Sequence, residues 1–313
     1  MSNLRQILLK SISILIVLTA AACVATSPAA TPTLEKPSAT PTLEVEQRPS
    51  LPVPALQGVV DVGGHVLSYQ CFGEGSPAVI VEAGAGDKPT LTLSWNAVIL
   101  GVLPSTRICI YDRVPITTSQ EAAENLHILL SKIPVPAPYI LVAHSLGGWH
   151  ARVFAHLYPP DMAGMVLVDT TPTYPEAAIT YATAYPTYSP GEPAGITQYR
   201  MSETAIYTGS MMPSMDGLDM QASNEQVRQA GSFGDIPLIV IGHNPGPNDW
   251  RGLEPAAQEQ YAEIIRKLQA DLATLSSQGV SVTARTSQHF ISLYEPQIII
   301  DAIIHMVEKI RNP

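Results

Sequence analysis

Short unbroken apolar runs recur along the chain, and they limit its fold more than any other feature. They fall at Ala78–Glu82, Ile108–Tyr111, Tyr139–Ala143, Met165–Val168, Leu238–Ile241 and Val280–Ala284. All are strand-length, and most are rich in Val, Ile and Leu without polar alternation. Only the last, Val280-Ser-Val-Thr-Ala284, is interrupted by polar residues. That pattern suits strands buried on both faces of a parallel sheet. Helical stretches separate most of them: Glu121–Lys132, Leu146–Leu157, Pro255–Leu275 and Pro296–Arg311. Ahead of these, Val59–Val62 and Val66–Phe72 flank Gly63-Gly64 and read as an antiparallel hairpin. Strand and helix in alternation predict an α/β class with a mostly parallel sheet flanked by helices. One break is longer than the rest. Residues 170–235 contain no obvious strand and read as an insertion.

The 313 residues are 14% charged with a net charge of −10, against roughly 25% charged in an average soluble domain. An acidic chain without basic blocks is a poor nucleic-acid or anionic-membrane binder. Three cysteines exclude a cysteine-rich scaffold, and no Cys/His spacing matches a zinc site, so no metal or cofactor is expected. Residues 1–22 carry Arg5 and Lys10, then an apolar run from Ser11 to Ala22. That run is shorter than the about 20 residues of a spanning helix and reads as a secretory signal. Leu18-Thr-Ala-Ala-Ala-Cys23 resembles a bacterial lipobox, with Ala20 where leucine is usual. Cys23 is then either lipidated or merely close to an ordinary cleavage site. Residues 23–57 hold many Pro, Ser and Thr residues, with seven prolines between 24 and 56. Such a composition cannot bury enough apolar surface to order itself and serves as an extended tether. The folded domain is expected over 58–313. Its expected location is outside the cytoplasm, secreted or lipid-anchored at the bacterial cell envelope, with membrane contact only through Cys23.

Directly after Tyr139–Ala143 comes His144-Ser145-Leu146-Gly147-Gly148, followed by a helix. A small-x-Ser-x-Gly turn between strand and helix forms a nucleophile elbow, whose tightness demands small neighbours. It lifts the serine hydroxyl to the carboxyl edge of the sheet, where open α/β sheets bind ligands. The Leu146 N–H at the helix start faces any developing oxyanion. With these motifs the chain resembles the α/β-hydrolase superfamily from about residue 59 onward. The resemblance implies an eight-stranded sheet with a helical cap inserted after strand 6. It also implies that Val79-Ile-Val-Glu-Ala-Gly-Ala-Gly86 is the strand-3 loop and that the Ala85 N–H is a second oxyanion donor. Ile110-Tyr-Asp-Arg113 resembles the end of strand 4. The following Val114–Thr118 is shorter than usual and lacks glycines, which leaves one pocket wall open.

A serine hydroxyl needs an adjacent base. The resemblance places it at His289, on the loop after the last strand, with Phe290-Ile291 to hold it. His150 and His156 read as helix-surface residues, and the His144 side chain is expected to point away from the nucleophile. Two acids remain open: Asp169, which caps the strand-6 run, and Asp249, after strand 7. An Asp ending an apolar strand is costly to bury without a partner, which favours Asp169. The resemblance further makes the strands of Cys71 and Cys109 neighbours, and export permits a disulfide between them. The insertion carries Tyr174, Tyr181, Tyr185, Tyr188, Tyr199 and Tyr207 and five methionines, suited to an apolar acyl or aromatic group or simply to packing a cap. The expected activity is a serine hydrolase acting on a small ester-like substrate through Ser145, His289 and Asp169, with Ala85 and Leu146 as oxyanion donors. An aminopeptidase or amidase on the same scaffold, or a non-catalytic envelope binding lipoprotein, are the alternatives.

Overall fold

The computed structural model describes residues 50–170, 173, 217–245, 255–285 and 288–312. Within them the apolar runs become strands: β1 (Leu56–Asp61), β2 (Val66–Phe72), β3 (Ala78–Glu82), β4 (Ile108–Asp112), β5 (Tyr139–His144), β6 (Met162–Val168), β7 (Leu238–Gly242) and β8 (Gly279–Thr283). They form one eight-stranded sheet in the order β1-β2-β4-β3-β5-β6-β7-β8. β1 and β2 run antiparallel, as does β2 against β4, and the remaining pairs are parallel. Seven described helices accompany them: α1 (Asn96–Val102), α2 (Ser119–Lys132), α3 (Gly147–Leu157), α4 (Met220–Ala230), α5 (Pro255–Leu272), α6 (Ile291–Tyr294) and α7 (Pro296–Arg311). The expected α/β class, the mostly parallel sheet and the helical insertion after strand 6 are all present.

The missing polar alternation has a direct cause. Successive side chains of a strand point to opposite faces, and here each face has its own core. Val79 and Val81 of β3, Ile140 and Val142 of β5, and Val166 and Val168 of β6 join Val98, Ile99, Ile299 and Ile303 of α1 and α7. Ile80, Leu141 and Leu167 point the other way, into a core with Leu126 and Leu129 of α2, Phe154 of α3 and Val227 of α4. Both faces being covered, the interior positions of these strands are apolar, and the buried polar residues Glu82 and His144 fall at the ends of β3 and β5. β8 departs from that expectation. Val280 and Val282 are 55% and 38% exposed, because β8 pairs with β7 alone and closes the sheet as an edge.

At the opposite edge, the Asp61 carboxylate accepts the Gly63 and Gly64 N–H groups at 2.8 and 2.9 Å. Both glycines have positive φ, a region costly for side-chain-bearing residues. Cys71 and Cys109 face each other directly across the β2–β4 pair and are joined by a disulfide. Helix α4 is fastened to the body by polar contacts at the start of α2. Ser223 Oγ and Gln226 Oε1 each accept a backbone N–H at 3.0 Å, from Ser119 and Gln120. Those are among the N–H groups a helix leaves unpaired at its first turn. His150 is not on the helix surface as its sequence suggested. It is 1% exposed, pressed between α2 and α3 with Nδ1 at 3.1 Å from Ser119 Oγ. His156 is exposed, as expected. The signal segment, Cys23, most of the tether and the insertion tyrosines lie outside the described residues. Of the five insertion methionines only Met220 is described, and it packs into the core.

Candidate active site

The turn from β5 into α3 gives Ser145 a φ of 53°, in the left-handed region that L-residues usually avoid. The strain is held by packing. The Ser145 N–H donates to the Val168 carbonyl at 3.0 Å, tying the elbow to β6. A Cβ on Gly147 would lie 2.4 Å from the Glu82 carbonyl oxygen and 2.5 Å from that of Ala83, and one on Gly148 would lie 2.2 Å from a methyl of Thr170. Both positions must be glycine for the elbow to close against β3 and the end of β6. Ala143 fits without penalty, its methyl fully buried in the core.

Three of the anticipated residues meet here. His289 Nε2 lies 3.0 Å from Ser145 Oγ, and its Nδ1 lies 2.6 Å from Asp169 Oδ2. An ionised carboxylate only accepts hydrogen bonds, so Nδ1–H donates to Asp169 and Nε2 is left to accept from the serine hydroxyl. Asp169 follows β6 directly and also has positive φ, 44°. Its N–H donates to Ile241 O at 2.7 Å, and its carboxylate is 4% exposed. Burial would raise its pKa, but hydrogen bonds from His243 and then His289 outweigh burial and hold the carboxyl well below the usual carboxylate range. Asp249, the other acid considered, lies outside the described residues. The Phe-Ile pair after His289 divides its work. Ile291 is fully buried, whereas Phe290 is 50% exposed and meets the His289 ring edge-on.

Of the two anticipated oxyanion donors, Leu146 follows the serine directly and Ala85 follows Gly84, at which a Cβ would lie 3.3 Å from Ser145 Cβ. Leu146 is buried at the start of α3, and Ala85 is exposed on the loop after β3. Neither N–H donates a hydrogen bond within the described residues. Beneath that loop lies a charged cluster that sequence reasoning missed. Arg113 pairs with Glu82 at 2.7 Å, both almost fully buried, and Tyr111 donates to the same carboxylate. The guanidinium also donates to the Ala83 carbonyl and, at 2.6 Å, to that of Gly84. The loop bearing Ala85 is thus held from below by one side chain. In sequence, Glu82 and Arg113 stood only as members of the strand-3 loop and strand-4 end motifs. The signal that could have found them is a pair of opposite charges ending two neighbouring apolar strands. Val114 and Pro115 do form a wall, lining a cavity of about 310 Å³ with Gly86, Asp87, Lys88, Arg113 and Gly217.

His144 points to the loop of His289. Its Nε2–H donates to the His289 carbonyl at 2.9 Å, and the two rings lie 4.7 Å apart. Burial first, and the charge of His289 next, lower its pKa to about 4. The unfolded chain takes up this proton near 6.5 and the folded chain only near 4, so the contribution is complete above 6.5 and is lost as the pH falls towards 4. Two and a half units correspond to about 3 kcal/mol. Wild type should therefore lose about 3 kcal/mol more unfolding free energy between pH 7 and pH 4 than His144→Gln, as read by urea denaturation at each pH.

A family model described as "alpha/beta hydrolase fold" matches residues 103–205. A probable transporter, efuK, of Hormonema carpetanum is 30% identical over 142 residues, 39% of this chain. The match spans only 20% of that protein's length. The uncharacterized protein YqjL of Bacillus subtilis is 23% identical over 237 residues, 72% of this chain and 82% of that one. Among solved structures, a thermophilic esterase from Thermogutta terrifontis aligns with a TM-score of 0.52 at 17% identity, over 82% of this chain and 99% of that one. A haloalkane dehalogenase loop variant from Bradyrhizobium elkanii aligns with a TM-score of 0.57 at 13% identity, over 82% and 97%. The chain has the α/β-hydrolase fold.

Proposed function

We propose that the chain is a serine hydrolase that cleaves carboxylic ester or related acyl bonds through a covalent acyl-enzyme. The observation that carries this reading is the hydrogen-bonded series Ser145–His289–Asp169, at 3.0 and 2.6 Å. Ser145 Oγ attacks the acyl carbon while its proton passes to His289 Nε2, and Asp169 stabilises the imidazolium. The carbonyl oxygen becomes an oxyanion received by the Ala85 and Leu146 N–H groups. His289 returns the proton to the departing alcohol oxygen, leaving the acyl group on Ser145. Water then attacks that ester, giving its proton to His289, and the acid leaves as Ser145 is reprotonated.

A small substrate suits the size of the cavity beside the Ala85 loop, at the small end of ligand pockets, and an apolar acyl or aromatic group would be received against Val114 and Pro115. Asp87, an acid lining that cavity, is the group that an amine-bearing substrate would meet, so a chromogenic amide run beside the ester distinguishes the amidase reading. The Asp87 carboxylate accepts from the Thr92 and Ser94 hydroxyls at 2.9 Å each. Action outside the cytoplasm, by secretion or through lipid at Cys23, belongs to the same proposal. The signal-like residues 1–22 and the Cys71–Cys109 disulfide support it, since disulfides persist in oxidising compartments.

A fluorophosphonate probe tests the reading. Wild type and His144→Gln should be labelled, Ser145→Ala should not, and only the labelled proteins should turn over a chromogenic ester series. A wild-type chain that neither labels nor turns over any ester is a binding protein that kept the fold.

A further inference from the structure

We infer that His243 is a positioning residue for this site, its ring spanning both oxygens of Asp169 and its backbone N–H on Oδ1, so that the carboxylate is held with Oδ2 towards His289. The inference rests on the hydrolase reading above. His243 follows β7, the strand beside β6, whose register pairs Val168 with Ile241. Continued one step, that register sets Asp169 level with Gly242, so His243 is the next residue along and its N–H and ring come within reach of the carboxylate. The His243 backbone N–H donates to Asp169 Oδ1 at 3.2 Å, and its ring Nδ1–H reaches Oδ1 at 2.7 Å and Oδ2 at 2.8 Å. His289 takes Oδ2 at 2.6 Å. The carboxylate is therefore held by two imidazoles with different duties. His289 is 45% exposed, whereas His243 is 16% exposed. The more exposed ring faces Ser145, with which it exchanges a proton, while the sheltered ring stays on the acid.

Two features of Asp169 make such a grip necessary. A buried carboxylate is tolerated only while donors satisfy it, and a single half-exposed imidazole satisfies one lone pair. The positive φ of Asp169 also places its carboxylate on a backbone that no strand ladder holds beyond the Asp169 N–H to Ile241 bond. Without the ring donor only the long backbone N–H of His243, at 3.2 Å, opposes His289, and the carboxylate can rotate about χ2 and tilt His289 away from Ser145.

The test compares His243→Leu, which deletes the ring donor, with His243→Asn, whose amide N–H falls close to the position of Nδ1. Steady-state kinetics on a chromogenic ester and urea midpoints are measured for each. His243→Leu is expected to lower kcat by about tenfold to a hundredfold, the cost of misplacing a catalytic group. KM should stay within about twofold, because His243 lies behind the acid, and His243→Asn should recover most of kcat. Should His243→Leu fail to fold, His243→Gln replaces it. Its N–H sits one bond further out, so it should lose kcat where Asn keeps it. Wild-type kcat in the Leu or Gln variant overturns the inference. So does a loss confined to KM, or an Asn variant as impaired as Leu at an unchanged midpoint. Ser145→Ala run in parallel separates the two readings. If it keeps full turnover, the hydrolase reading itself fails. If it is inactive while the Leu or Gln variant is fully active, only the role of His243 falls.

Discussion

Asp169→Asn should lower kcat by about 10⁴ while leaving the fold intact. The carboxylate accepts from both His243 and His289, and an amide cannot. The His243 backbone N–H meets Oδ1 alone, while its ring lies 2.7 and 2.8 Å from the two oxygens. The backbone donor draws the amide oxygen to the Oδ1 side, so the amide nitrogen turns towards His289. Facing a donor, His289 Nδ1 must give up its proton, and Nε2–H then points at Ser145 Oγ. The base is lost because the ring carries its proton on the wrong nitrogen, with no atom out of place. Steady-state kinetics on the chromogenic ester that wild type turns over best would measure the fall. Asp249→Asn belongs beside it and should leave kcat at the wild-type level. A crippled Asp249→Asn with an active Asp169→Asn would move the acid to the other position.

Arg113→Ala should cost about 3–5 kcal/mol of stability, the usual cost of deleting one partner of a buried ion pair. Glu82 is 1% exposed, and after the substitution its charge must be neutralised or the surrounding strands must open to water. The loss reaches the site as well, because the same guanidinium holds the Ala83 and Gly84 carbonyls ahead of Ala85. Urea denaturation should report the first effect, and a fall in kcat greater than any rise in KM the second. The double variant Arg113→Met, Glu82→Gln separates the two. It removes both charges and should recover much of the stability, since most of the single variant's loss comes from the charge left buried without its partner. It should not restore kcat, because no donor then meets the Ala83 and Gly84 carbonyls. A double variant with wild-type kcat would show that the loop holds its shape without them.

Sequence and structure agree where local sterics decide the outcome. The elbow was legible because a strand, a serine and two glycines must appear consecutively for that turn to close. The central strands were legible because two covered faces leave the interior of a run apolar. Helix α1 was not anticipated, since Asn96–Val102 is apolar nearly all round and carries no periodic polar face. His150 was misassigned for a related reason: helical spacing tells which residues share a face but not what that face meets. Of the site, Ser145 and His289 could be picked out by their place after strands. Asp169 could be preferred only on the cost of burying it, with Asp249 left as a rival.

His243 had the same address as the acids, at the end of a parallel strand, yet nothing in its neighbourhood marked it. Its importance lies in a distance to residue 169, set by the β6–β7 register. The Glu82–Arg113 pair is of the same kind, joined across the β3–β4 ladder. The sequence alone was enough to establish the alternation of strand and helix, the elbow and the chemistry of its nucleophile, because each depends on neighbours within a few residues. Which acid faces the base, what holds that acid, and what supports the Ala85 loop were decided by the folded sheet. Parallel strands far apart in the chain end at one edge, and their terminal side chains meet only when the register is set.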